Sequence, residues 1–88
     1  MIRTSRPVVL AVDDDLEVLN TVGRDLRSRF GGEYRIVKAR SGAEALQVTR
    51  ELRQRGVPIA LFVVDESMPE MKGTDFLVRA LEMYPGAR

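Results

Sequence analysis

Two short apolar runs, each closing on an aspartate, constrain this chain more than any other feature. Val8-Val9-Leu10-Ala11-Val12 follows Pro7 and ends at Asp13, and Ile59-Ala60-Leu61-Phe62-Val63-Val64 follows Pro58 and ends at Asp65. Neither run alternates polar with apolar residues. Each therefore reads as a strand buried on both faces, the condition of strands in a parallel sheet covered by helices. Parallel strands need long crossover connections, so the chain between the two runs should hold helices and a further strand.

The local signals fill that frame. Asp14 can cap a helix, with Glu17 three residues later completing a capping box. Leu19, Val22, Leu26 and Phe30 then recur at helical spacing up to Gly31-Gly32. Tyr34 to Ala39 reads as a short strand, more polar than the others and so nearer a sheet edge. Ser41 and Glu44 repeat the capping box, and Ala45, Leu46, Thr49 and Leu52 carry a second helix to Gly56. After Asp65 comes a loop, Glu66 to Gly73, containing Pro69. A last helix runs from about Thr74 through Phe76, Leu77, Ala80, Leu81 and Met83 to Pro85-Gly86. The order is βαβαβα, an α/β arrangement of right-handed parallel crossovers.

Composition removes whole classes of chemistry. The 88 residues make one domain at most. With no cysteine and no histidine, disulfides, thiolate metal sites, imidazole bases and the usual zinc sites are excluded. The charge is nearly balanced, 14 basic against 13 acidic residues, and the arginines are spread over helix faces. That pattern predicts no direct nucleic-acid contact from this segment. No apolar run approaches the length of a membrane span, and the opening MIRTSRP lacks the apolar stretch of a signal peptide. A cytoplasmic location without membrane attachment is expected.

The acids matter by position. In open α/β sheets, ligands bind beyond the carboxyl ends of the strands. Adjacent parallel strands would bring Asp13 and Asp65 to one sheet edge, with Asp14 beside them. Three crowded carboxylates require a counter-charge. Oxygen ligands alone suit magnesium or manganese, and Mg²⁺ held by carboxylates commonly binds phosphate oxygens too. The bare chemistry is a metal-assisted phosphoryl-handling site.

Two families share such motifs. Asp13-Asp14-Asp15 contains an Asp-x-Asp spacing that resembles the nucleophile and acid/base pair of haloacid-dehalogenase-like phosphotransferases, with Asp13 as nucleophile. Glu17 stands where that family has threonine or valine, and its remaining motifs have no counterpart in this length. The second resemblance spans nearly the whole chain. Asp65-Glu66-Ser67-Met68-Pro69-Glu70-Met71-Lys72-Gly73-Thr74-Asp75-Phe76-Leu77 resembles the phosphoacceptor segment of response-regulator receiver domains. Val9-Leu10-Ala11-Val12-Asp13-Asp14-Asp15 resembles their first strand and acidic pair, and Ser41-Gly42-Ala43-Glu44-Ala45-Leu46 the start of their second helix. The interval of 52 residues from Asp13 to Asp65 also suits that family.

The receiver resemblance implies a flavodoxin-like doubly wound parallel sheet, present as a βαβαβα portion with strand order 2-1-3. It implies that Asp65 receives a phosphoryl group from a sensor histidine kinase or phosphotransfer protein, in a phosphorelay serving two-component signal transduction. Asp14 would be a direct Mg²⁺ ligand, Asp13 would act mainly through a coordinated water, and Ser67 would offer its backbone carbonyl. Pro69 and Gly73 would shape the loop. Glu66, Glu70 and Lys72 read as solvated loop positions, and Met68 and Met71 as packing. Catalysis would be limited to self-phosphorylation and later hydrolysis, unlike a conventional metabolic enzyme.

The family's fourth and fifth strands and last two helices have no counterpart in residues 1–88, nor have its switch threonine or serine and its lysine. Lys38 and Lys72 stand in the wrong places to replace that lysine. The expectation is a receiver domain over 1–88 that is incomplete at its carboxyl end, with an output domain elsewhere. It would also leave Ile59–Val64 as an apolar edge able to self-associate. Two other readings remain open at this stage: an interaction module of the same fold without phosphotransfer, and a Mg²⁺-dependent haloacid-dehalogenase-like phosphohydrolase using Asp13.

Overall fold

The computed structural model describes residues 6–87. Residues 1–5, most of the stretch read for a signal peptide, lie outside the described residues, as does Arg88. The elements are β1 (Val8–Val12), α1 (Leu16–Phe30), β2 (Arg35–Ala39), α2 (Gly42–Gln54), β3 (Ile59–Val64) and α3 (Gly73–Met83). All strand pairs are parallel and the sheet order is β2-β1-β3, the flavodoxin-like doubly wound arrangement. None of the helices among the described residues is long and apolar enough to cross a membrane.

Burial follows the sequence pattern strand by strand. β1 is buried at every residue, as an unbroken apolar run requires of a central strand. β2 exposes Arg35 and Lys38, as suits its edge position. Even-numbered β1 residues, Val8, Leu10 and Val12, join the main core with Leu46 and Leu52 of α2, Phe62 of β3, and Phe76 and Ala80 of α3. The rings of Phe62 and Phe76 meet edge-on with centroids 5.6 Å apart. Val9 and Ala11 point to the opposite face, where α1 supplies Leu19 and Val22. Along β3 that second face is open: Val9, Phe30, Tyr34, Ala60 and Leu61 line an apolar hollow of about 240 Å³. Among the described residues β3 pairs only with β1, so its outer edge has no strand partner.

The strand registers set the level of the acids. Val8 pairs with Ile59, but the next pair is Val9 with Leu61, so Ala60 is an extra residue in β3, a bulge. From there the pairing runs evenly to Val12 with Val64. The residues that follow, Asp13 and Asp65, leave neighbouring strands at the same height.

The helix starts correct one expectation. α1 is capped by Asp15, not Asp14: the Asp15 carboxylate accepts from the amides of Glu17 at 3.0 Å and Val18 at 3.3 Å. The turn out of β1 uses Asp13 and Asp14, with the Asp13 carboxylate accepting from Asp15 N at 2.9 Å. The helix consequently begins at Leu16, and the cap falls one residue later than the Asp14–Glu17 box requires. Ser41 does cap α2, its hydroxyl accepting from Glu44 N at 3.0 Å. Beyond α2, Gly56 adopts φ of 71°, the left-handed backbone glycine provides after a helix.

Candidate metal and phosphoryl site

Asp13, Asp14 and Asp65 come together at the carboxyl edge of the sheet. One carboxylate oxygen from each lies within 4.8 Å of the others. Backbone pairing fixes two of the three: Asp13 N donates to Ala39 O at 3.2 Å, and Asp65 N donates to Val12 O at 2.9 Å. Asp13 and Asp65 are half-buried and Asp14 is exposed, so the cluster has a protein side and a solvent side. Behind it a hollow of about 170 Å³ opens between the sheet and α1, with Asp13 and Asp65 at its rim.

The donor set suits a hard cation. Every ligand is an oxygen, and solvent reaches Asp14, so water can complete a coordination sphere. Two ligands on opposite sides of one Mg²⁺ stand about 4.2 Å apart, close to the 4.8 Å bound on these oxygens. Small side-chain movements, or an intervening water, would close the difference. Asp15 does not join them, because capping α1 engages its carboxylate.

The loop after Asp65 positions the other residues named from sequence. Ser67 and Pro69 are exposed. Met68 is buried in the main core and Met71 packs against it. Gly73 is buried at the start of α3, where a Cβ would stand 2.5 Å from the backbone oxygen of Asp65. Its φ is not positive, so the need is for close approach of two backbone segments rather than an unusual conformation. Lys38 is engaged with α1, its ammonium donating to Asn20 Oδ1 at 3.1 Å. Lys72 precedes α3 but makes no side-chain cap.

Two residues read as solvated loop positions have definite partners. One oxygen of Glu66 accepts from Thr74 N at 2.8 Å and the other from the Thr74 hydroxyl at 3.1 Å. Glu70 Oε1 accepts from Gly42 N at 2.7 Å. These carboxylates cap α3 and α2 from outside, where negative charge is favoured by the helix dipole. A usable signal existed for Glu66: α3 opens with Lys72-Gly73, neither of which can cap through a side chain, so an acceptor must come from elsewhere. No comparable local signal pointed to Glu70.

No protein-family model matches the chain. It is 38% identical over 76 residues to the two-component response regulator ORR3 of rice, in both Oryza sativa subsp. indica and subsp. japonica. That match covers 86% of this chain and 53% of the regulator, so the chain spans about half the length of these relatives. Among solved structures, it superposes on the signal receiver domain of an HD domain-containing protein from Pseudomonas fluorescens Pf-5 with a TM-score of 0.71 and 26% identity, covering 99% of this chain and 58% of that one. With the chemotaxis response regulator CheY4 of Vibrio cholerae the TM-score is 0.70 at 29% identity, covering 92% and 62%.

Proposed function

Because this chain is a response-regulator receiver sequence, we propose that it accepts a phosphoryl group on Asp65 from a phosphohistidine donor. The observation that carries the proposal is the meeting of three carboxylates from two strand ends at one sheet edge. A carboxylate oxygen of Asp65 would attack phosphorus as the P–N bond to the donor imidazole breaks. The O–P bond forms, and the released imidazole nitrogen takes a proton from solvent or its surroundings. Water later cleaves the acyl phosphate, returning the Asp65 carboxylate and inorganic phosphate.

Asp14, exposed and free of capping duty, would ligate Mg²⁺ directly. Asp13 would act mainly through a bound water, its orientation kept by the Asp15 amide. The Ser67 backbone carbonyl would add a ligand, and its side chain would flank the path of hydrolytic water. Bound Mg²⁺ supplies compensation for charge on the transferring phosphoryl oxygens. Pro69 and Gly73 would hold the loop to its course. The sensor kinase or phosphotransfer protein, and an output domain outside residues 1–88, complete the proposed pathway.

The reading with Asp13 as a hydrolase nucleophile is disfavoured by α1. Its acid/base partner would be Asp15, whose carboxylate is engaged by two helix amides. Incubation with a phosphohistidine donor and Mg²⁺ tests the assignment. We expect acid-stable, hydroxylamine-labile label on Asp65, abolished in Asp65→Asn and retained in Asp15→Asn. Label on Asp13 would establish the hydrolase reading instead, and no label on any aspartate would leave an interaction module.

A further inference from the structure

The acceptor loop lies between β3 and α3 without helix or strand of its own, so its place depends on ties to its surroundings. On the α3 side those ties are Glu66 to Thr74 and the burial of Met68. On the other side the loop reaches α2, and two separate observations mark that contact. Glu70 Oε1 accepts from Gly42 N, the first residue of α2, at 2.7 Å across 28 positions of sequence. Gly42 is itself buried, and a Cβ there would stand 2.8 Å from Met71 Sδ. Ser41 already caps α2 through Glu44 N, so Glu70 serves a different free amide. The bond is charge-assisted and lies at a helix N-terminus, both of which strengthen it.

We propose that Glu70 is a positioning residue for the metal and phosphoryl site, latching the acceptor loop to α2 through Gly42. This rests on the reading of Asp13, Asp14 and Asp65 as a Mg²⁺ site. Glu70 touches neither metal nor phosphoryl group. It holds the far limb of the loop whose near limb carries Asp65 and the Ser67 carbonyl, and Met71 seated over Gly42 keeps the latch in register.

Mg²⁺ titration and amide hydrogen exchange of the 88-residue chain, both followed by nuclear magnetic resonance, test the latch. In Glu70→Ala we expect the Gly42 amide proton to move upfield and the Ser67 and Met68 amides to exchange several-fold faster. Mg²⁺ affinity should fall about three- to ten-fold, at or below the low end of the loss seen when groups supporting metal ligands are removed. Glu70→Gln keeps an acceptor oxygen and should recover most of the affinity. Glu82→Ala, the same charge change at the far end of α3, should leave affinity unchanged. Altered Gly42 resonance with unchanged Mg²⁺ affinity would overturn the proposal, as would a glutamine variant as weak as the alanine one. Asp14→Ala separates the two readings: Mg²⁺ binding that survives it defeats the metal assignment. The latch is then judged on loop exchange alone, and rates unchanged in Glu70→Ala defeat it.

Discussion

On one face of the sheet, Val8, Leu10 and Val12 lie beneath two helices; on the other, Val9 and Ala11 have α1 alone. β1 is buried towards both, because Leu19 and Val22 of α1 lie by Ala11, and Phe30 and Tyr34 by Val9, on the second face. The difference falls on β3, whose residues Leu61 and Val63 are half-buried while Phe62 is buried. The acceptor loop is tied down from the closed side, through Met68, Gly73 and the two helix N-termini. The open side contributes the rim of a hollow. Site geometry and core packing are therefore the same problem on one face and nearly independent on the other.

Paired truncations should expose that asymmetry most strongly. Phe76 is fully buried and Phe30 is 42% exposed. Phe76→Ala should destabilise the fold by about 3–5 kcal/mol, and Phe30→Ala by about 1 kcal/mol or less, read from chemical denaturation midpoints. Equal losses would mean that α1 packs as tightly as α3. A smaller effect is expected where the closed face meets the site. Gly73→Ala drives a methyl group against the Asp65 carbonyl and should cost about 1–3 kcal/mol, with weaker Mg²⁺ binding in the same titration. Unchanged metal affinity would uncouple packing from the site.

The smallest effect concerns the closing strap of that face. Just past α3, the Tyr84 hydroxyl donates to Val57 O at 2.7 Å. Burial raises its pKa above the ordinary 10.0, with Arg53 pulling the other way. The folded state thus holds this proton more tightly than the unfolded state. Its contribution is full below pH 10 and is lost as pH rises through the folded value. Tyr84→Phe should cost about 0.5–1.5 kcal/mol at neutral pH and show a shallower fall in stability above pH 10. Parallel alkaline profiles for the two proteins would count against the strap.

Much of this architecture was legible because buried parallel strands leave an unmistakable apolar run, and because an acid ending such a run is conspicuous. What escaped was set by contacts that local pattern cannot carry. Three successive aspartates offered three possible caps, and only the turn out of β1 decided for Asp15. Glu66 and Glu70 looked solvated because their amide partners lie eight and 28 positions away. Gly73 could be read as a loop former, but its reason, the carbonyl of Asp65 pressed against it, belongs to tertiary structure.

The extra residue in β3 has a consequence for how such a chain can vary. Removing Ala60 would leave Ile59 opposite Val8 and Leu61 opposite Val9 in unbroken alternation, so every later pair down to Val12 with Val64 keeps its partner and its face. The bulge is slack: β3 can lose one residue there and still deliver Asp65 level with Asp13. β1 pairs with β2 residue for residue and holds no such slack. A one-residue loss from β1 would set Asp13 back by about one residue of strand rise, ~3.3 Å, enough to take one carboxylate out of reach of a shared ion. An alignment gap at Ala60 would therefore mark a straightened strand with its acidic cluster intact, whereas a gap within β1 would mark a displaced one.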